Sequence, residues 1–230
     1  MSLIDKILNP LACKALNAVS LPDPGPFTST DNVFIPYSSA FEAAESAGAR
    51  EVYLIEETMA AALGANMDSV LNSRGGMIID IGGGTTGISV ISLGGLVISR
   101  SIKTAGDSMN QAIIAYVKST YGLLIGENMA ESVKKTICDV TDVPSESLKM
   151  SVRGRSLESG LPESIQLTAI DTKRALDESV IDILNTVVET LDSTPPELSG
   201  DIMVDGIVLA GGGALLGGLA ERLSKATRLK

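Results

Sequence analysis

Between Met77 and Leu93 the chain reads as strand, glycine turn and strand, and this order restricts its fold more than any other feature. Met77-Ile78-Ile79-Asp80 is a short apolar run of the kind that forms a buried strand. Ile81-Gly82-Gly83-Gly84-Thr85-Thr86 is a tight turn, and Ile88-Ser89-Val90-Ile91-Ser92-Leu93 is a second strand. Gly94-Gly95 predicts a hairpin turn, with a third strand opening at Leu96-Val97-Ile98. The glycine loop thus joins two strands of an antiparallel meander. A Walker A loop is excluded, because it needs a lysine and a hydroxyl ahead of a helix. A dinucleotide-binding fingerprint also opens a helix and is excluded on the same ground.

A glycine loop after a strand can present backbone N–H groups to phosphate oxygens, and the absence of Cβ atoms lets a ligand approach closely. Gly82, Gly83 and Gly84 supply that loop, and Thr85 and Thr86 add hydroxyls. Asp80, at the strand end, suits a water-mediated role toward magnesium, which prefers oxygen ligands and keeps several waters. The alternative is a structural hairpin without a ligand, but consecutive glycines lose much backbone entropy on folding. A second cluster, Gly211-Gly212-Gly213-Ala214, follows a strand predicted over Gly206–Ala210 and precedes a helix predicted from about Leu215. Such a turn suits a nucleotide, with amides near anionic groups or bare backbone against a flat base. Many α/β turns use glycine there without a ligand, so the second cluster gains meaning only beside the first.

The rest of the chain predicts an α/β protein. An apolar-faced helix over residues 1–20 carries Ile4, Leu8, Leu11 and Leu16, either as a core helix or as a membrane-surface anchor. A Pro/Gly-punctuated loop covers 21–32, and a strand follows at Val33–Ile35. Further elements are a helix over Ala40–Ala47, a buried strand over Glu51–Ile55 and a helix from Glu57 to Leu63. A helix carrying Met109, Ile113 and Val117 is capped by Asp107 or Ser108, and another spans Glu127–Ile137. Short strands fall at Met150–Val152 and Ile165–Leu167, and a long helix runs from Asp171 to Leu191 until Pro195-Pro196 stops it.

Composition narrows the chemistry. The chain has no histidine, so His-based triads, bases and metal sites are excluded. Its formal charge of −10 repels phosphate backbones, so nucleic acid is not an expected partner. Two distant cysteines, Cys13 and Cys138, fit a reducing cytosol better than a disulfide framework. No apolar run reaches the roughly 18 residues of a membrane span, and the first residues lack a signal-peptide layout.

At Ile55-Glu56-Glu57, Met59-Ala60-Ala61-Ala62, Asp80–Thr86 and Leu209–Leu216 the chain resembles the MreB family of bacterial actin-like proteins. Ala47–Val52, Tyr121–Glu127, Val152–Arg155 and Pro195–Leu198 extend the resemblance. It implies an actin-like ATPase (ribonuclease H-like) fold, with the first lobe partly present over 1–75 and the second nearly whole over 76–230, about 108–170 being its small subdomain. It also implies ATP and magnesium as cofactors. Gly83, Gly84 and Thr85 would contact the β- and γ-phosphates, and Glu57 would orient the attacking water. Glu131 and Lys134 would reach the ribose or adenine, and Gly212, Gly213, Ala214 and Leu215 would line the adenosine. Read without the resemblance, Glu131 with Lys134 and Lys135 is a helical ion-pair set.

The chain departs from the family pattern in places. No first phosphate loop of the Asp-Leu-Gly-Thr type is found before Val33, the segment 37–46 is shorter, Thr58 replaces a proline, and Ala105 replaces a glycine. The last strands of the fold would lie beyond Lys230. The expectation is weak nucleotide binding with slow or absent hydrolysis. The resemblance implies a cytoplasmic cytoskeletal subunit, membrane-associated through filaments, that joins itself or full-length MreB-like filaments governing rod shape and wall synthesis. The alternatives are a non-catalytic scaffold or capping subunit, with filaments or membrane-associated wall-synthesis proteins as partners, and a filament protein of the plasmid-segregation, division or magnetosome type.

Overall fold

The computed structural model describes residues 37–229 apart from 54, 71 and 146. The expected helix over 1–20, the loop at 21–32 and the strand Val33–Ile35 lie outside the described residues. The chain divides into two compact units between Ile55 and Glu56.

In the first unit, α1 spans Tyr37–Ser46. Gly48 closes it at φ +92°, and the Ala49 amide donates to Ala44 O at 3.0 Å. The buried strand expected over 51–55 is not formed at the described residues 51–53 and 55. Glu51 and Tyr53 are exposed, and among the described residues no strand pairs with this stretch. An apolar run becomes a strand only where a neighbour and a covering layer receive it.

The second unit runs α2 (Glu57–Gly64), β1 (Gly76–Ile81), β2 (Thr86–Ser92), β3 (Gly95–Ile102), α3 (Gly106–Tyr121) and β4 (Leu123–Leu124). It continues with α4 (Glu127–Ile137), β5 (Lys149–Ser156), β6 (Pro162–Thr168), α5 (Ala169–Asp192), α6 (Pro196–Asp205), β7 (Ile207–Ala210) and α7 (Leu219–Thr227). The main sheet has the order β3-β2-β1-β7, antiparallel except for the parallel pair β1–β7. Met77, Ile78, Ile79 and Ile81 are fully buried, as the near-continuous apolar run of β1 requires when both faces are covered. The helices α2, α5 and α6 pack on this sheet. The β2–β3 turn falls at Leu93-Gly94, one residue earlier than expected, with both residues at positive φ (52° and 69°), the twist that a two-residue hairpin demands.

The smaller sheet, β4-β5-β6, is antiparallel, and α3 and α4 pack beside it. Met109, Ile113 and Val117 of α3 face Leu176, Val180, Ile183 and Val187 of α5 in one core, all fully buried at helical spacing. Pro195-Pro196 does end the long helix, but Pro196 also starts α6, because proline is pre-organised for the first helical turn. The sequence hides α6, since it buries only Ile202 and so lacks a clear apolar stripe.

Candidate nucleotide site

The turn after β1 is closed by its own backbone: the Gly82 amide donates to Thr85 O at 3.0 Å. Gly83, Gly84 and Thr85 are exposed, and among the described residues their amides donate to no protein acceptor. Thr86 is different. It is fully buried, and its Oγ1 donates to Thr104 O at 2.7 Å, which ties its hydroxyl to the segment between β3 and α3.

The loop is held from behind by α3. The Gly106 amide donates to Gly82 O at 3.0 Å and the Asp107 amide to Gly83 O at 2.8 Å. In a trans peptide the carbonyl and the following N–H point in opposite directions. Anchoring Gly82 O and Gly83 O to α3 therefore turns the N–H groups of Gly83 and Gly84 away from it. The same bonds correct the expected helix start. The N-cap is Ala105, not Asp107 or Ser108, because loop carbonyls already receive the first-turn amides. Ser108 sits at N3, where its Oγ accepts the Ala105 amide at 2.9 Å.

The second glycine cluster lies against the same end of β1. Asp80 pairs in register with Ala210 on β7 and with Gly87 on β2. A Cβ on Gly211 would lie 2.3 Å from Ile81 O and 2.5 Å from Asp80 Oδ1, and one on Gly213 would lie 2.2 Å from Ile81 Cγ2. Only glycine permits this approach. Gly212 and Leu215 are exposed, Gly213 and Ala214 half-buried. Gly212–Leu215 form a single 3₁₀ turn, and the α-helix begins at Leu219 rather than Leu215. The delay has a cause in the backbone: Gly217 O accepts the Val140 amide at 2.8 Å, and Gly218 adopts φ +80°.

Asp80 is partly buried, and desolvation raises its carboxyl above the usual range. Such a group favours a nearby cation. Among the described residues no cluster of three or more acidic, Cys or His side chains could enclose a metal.

Glu57 is the exposed first residue of α2. The helix is fixed by Thr58, whose Oγ1 shares a 2.7 Å hydrogen bond with Ser89 Oγ and whose methyl abuts Gly87, the register partner of Asp80. Glu131 on α4 bonds Lys134 at 2.6 Å and Lys135 at 2.9 Å, and Asn110 Nδ2 donates to it at 2.8 Å. The hydrogen bonds from Lys134, Lys135 and Asn110 hold its carboxyl down at about 2. Lys134 Nζ also donates to Gly106 O at 2.8 Å, which brings α4 to the back of the Gly82–Thr85 turn. Neither Asn110 nor Gly106 stands out in the sequence. The available signal for Asn110 was an amide beside the apolar seam of Met109 and Ile113, where α3 buries it. Burial pushes the Cys138 thiol up to about 11, so it is no nucleophile.

A β3-β2-β1-β7 sheet with glycine turns after β1 and after β7, joined to a smaller sheet flanked by α3 and α4, defines an actin-like ATPase fold. The chain belongs to the MreB/Mbl protein family, whose sequence model matches residues 34–230. It is 46% identical over 185 residues to the cell shape-determining protein Mbl of Bacillus subtilis (strain 168), covering 80% of this chain and 55% of Mbl. It is 46% identical over 187 residues to the cell shape-determining protein MreB of Escherichia coli (strain K12), covering 81% and 53%. The crystal structure of MreB 5 of Spiroplasma citri bound to AMPPNP superposes with a TM-score of 0.79 at 38% identity, covering 84% of this chain and 57% of that one. The chain thus spans about half the length of the curated relatives it matches.

Proposed function

We propose that this chain binds ATP with magnesium between its two glycine turns, as part of an MreB-type actin-like cytoskeletal subunit. The observation that carries the reading is the packing of Gly211 against the end of β1 beside Asp80, which puts both turns at one sheet end. The exposed amides of Gly83, Gly84 and Thr85 would receive the phosphates, and Gly212, Gly213, Ala214 and Leu215 would line the nucleoside. Asp80 would hold magnesium through water, and the ion would neutralise phosphate charge. Glu57 would orient water for hydrolysis, and Glu131 and Lys134 would face the ribose or adenine. Phosphoryl transfer depends mainly on positioning and charge. The two sheets support a lobe over 76–230 with 108–170 as its subdomain. The AMPPNP-bound Spiroplasma relative supports the choice of nucleotide.

Filament assembly follows from the same reading. Actin-like subunits stack head to tail, a contact that propagates without closing. The subunit would act in the cytoplasm, reaching the membrane and wall-synthesis proteins through filaments. Among the described residues no helix is long and apolar enough to cross a membrane. Calorimetric titration with ATP and ADP, with and without magnesium, tests the nucleotide reading. Saturable heat that strengthens with magnesium supports it, and no heat at millimolar ligand overturns it. Co-sedimentation with Escherichia coli MreB tests assembly: entry into the pellet supports joining, and exclusion from it contradicts joining.

A further inference from the structure

Lys134 is committed to the protein before any ligand arrives. Its side chain is only 13% exposed, its Nζ lies 2.6 Å from Glu131 Oε2, and it donates to Gly106 O at 2.8 Å. Gly106 is buried at the first turn of α3. A Cβ there would lie 3.2 Å from Gly82 O, 3.4 Å from Lys134 Nζ and 3.5 Å from Gly83 Cα. The peptide groups on either side of this glycine do two jobs. Its carbonyl holds the lysine of α4, and its amide, with that of Asp107, holds the carbonyls of Gly82 and Gly83. Behind the lysine stands a second anchor: Asn110 Nδ2 donates to Glu131 Oε2 at 2.8 Å, and Asn110 Oδ1 is buried without a partner among the described residues. Asn110 lies one helical turn after Gly106 on α3, so the path from α3 through Glu131 and Lys134 returns to α3.

From this closed path we infer that Lys134 is a positioning residue for the phosphate loop, acting through Gly106, in addition to any contact with a nucleoside. Glu131 and Asn110 hold the lysine, the lysine holds the first turn of α3, and that turn orients the amides of Gly83 and Gly84. A charge-assisted hydrogen bond to a carbonyl stiffens that turn more than a neutral one would. Its loss frees the Gly106 peptide and loosens both bonds to the loop. The inference rests on the proposed nucleotide reading only for its ligand arm, because the loop–helix bonds exist without ligand.

The experiment compares the chain with its Lys134→Met form in two ways. Amide exchange by NMR, without ligand, reads the bonds directly. Gly106 and Asp107 should exchange about tenfold faster in the variant, while the β1 amides keep their protection. Calorimetry with inorganic tripolyphosphate and magnesium, a probe that has no nucleoside, should show affinity lowered by a comparable factor. Unchanged exchange at Gly106 and Asp107 overturns the inference. Weaker tripolyphosphate binding with unchanged exchange also overturns it, because the lysine would then touch phosphate directly. If the parent chain binds neither tripolyphosphate nor ATP, the nucleotide reading fails, and the exchange arm still decides the positioning role. Glu131→Gln keeps a side chain for Asn110 but removes the charge that holds the lysine. It should accelerate the same two amides, and it carries the test should the lysine variant fail to fold.

Discussion

Gly211 stands so close to the end of β1 that a methyl group on it would lie 2.3 Å from the carbonyl oxygen of Ile81. Its backbone, at φ 78° and ψ 168°, is open to glycine almost alone. Gly211→Ala should therefore destabilise the chain by at least about 2 kcal/mol through strain and overlap together. Gly212, with nothing within 4 Å of a Cβ, is the internal control, and Gly212→Ala should stay within about 0.5 kcal/mol of the parent. Urea unfolding of both variants checks the contrast, and equal losses would contradict the packing described.

Asp80 separates stability from binding. Its carboxyl is raised above its ordinary value of 3.8 by desolvation, so the ionised form is the unfavourable one in the folded chain. For a raised folded value, stability is fully present below pH 3.8 and declines as the pH rises through the folded value. Asp80→Asn removes that decline. At pH 7 its unfolding midpoint should match or exceed the parent's, while the effect of magnesium on ATP affinity disappears. A variant that keeps the full magnesium effect would remove Asp80 from the site.

Glu131 has the opposite sign. Its carboxyl is lowered from 4.5 to about 2, first by Lys134 and then by Lys135 and Asn110. Its contribution is present above pH 4.5 and fades as the pH falls toward about 2. The gap in urea midpoint between the parent and Glu131→Gln should be flat above pH 5 and narrow below it. A gap independent of pH down to 3 would mean that charge contributes nothing there.

Glu57 is exposed at the first turn of α2, and among the described residues it makes no side-chain hydrogen bond or ion pair. Glu57→Gln should shift stability by less than about 0.5 kcal/mol and leave ATP affinity unchanged. Any steady-state phosphate release should fall. Release at the parent rate would exclude Glu57 as the group that orients water.

Elements with strong periodicity were legible from sequence alone. The helix at Glu127–Ile137 and the meander around Gly82–Gly84 carry their pattern in the residues themselves. The structure departs from the sequence expectation where distant groups decide. Ala105 caps α3 because Gly82 and Gly83, more than 20 residues earlier, send their carbonyls to it. The helix after Gly213 starts late because Gly217 pairs with Asp139. Glu131 and Lys134 read as a helical ion pair, and they are one, but the bond from Lys134 to Gly106 is long-range and leaves no local trace. The proximity of the two glycine clusters follows from the parallel pairing of β1 with β7, which periodicity does not report.

On the proposed reading, both glycine turns hold one nucleotide. An NMR titration of the chain with ATP and magnesium, following the amides of Gly83, Gly84 and Thr85 together with those of Gly212, Gly213 and Ala214, tests it most directly. Both sets should shift along a single saturation curve, and inorganic tripolyphosphate should shift the first set more than the second. Shifts confined to one turn, or two sets following different curves, would contradict it.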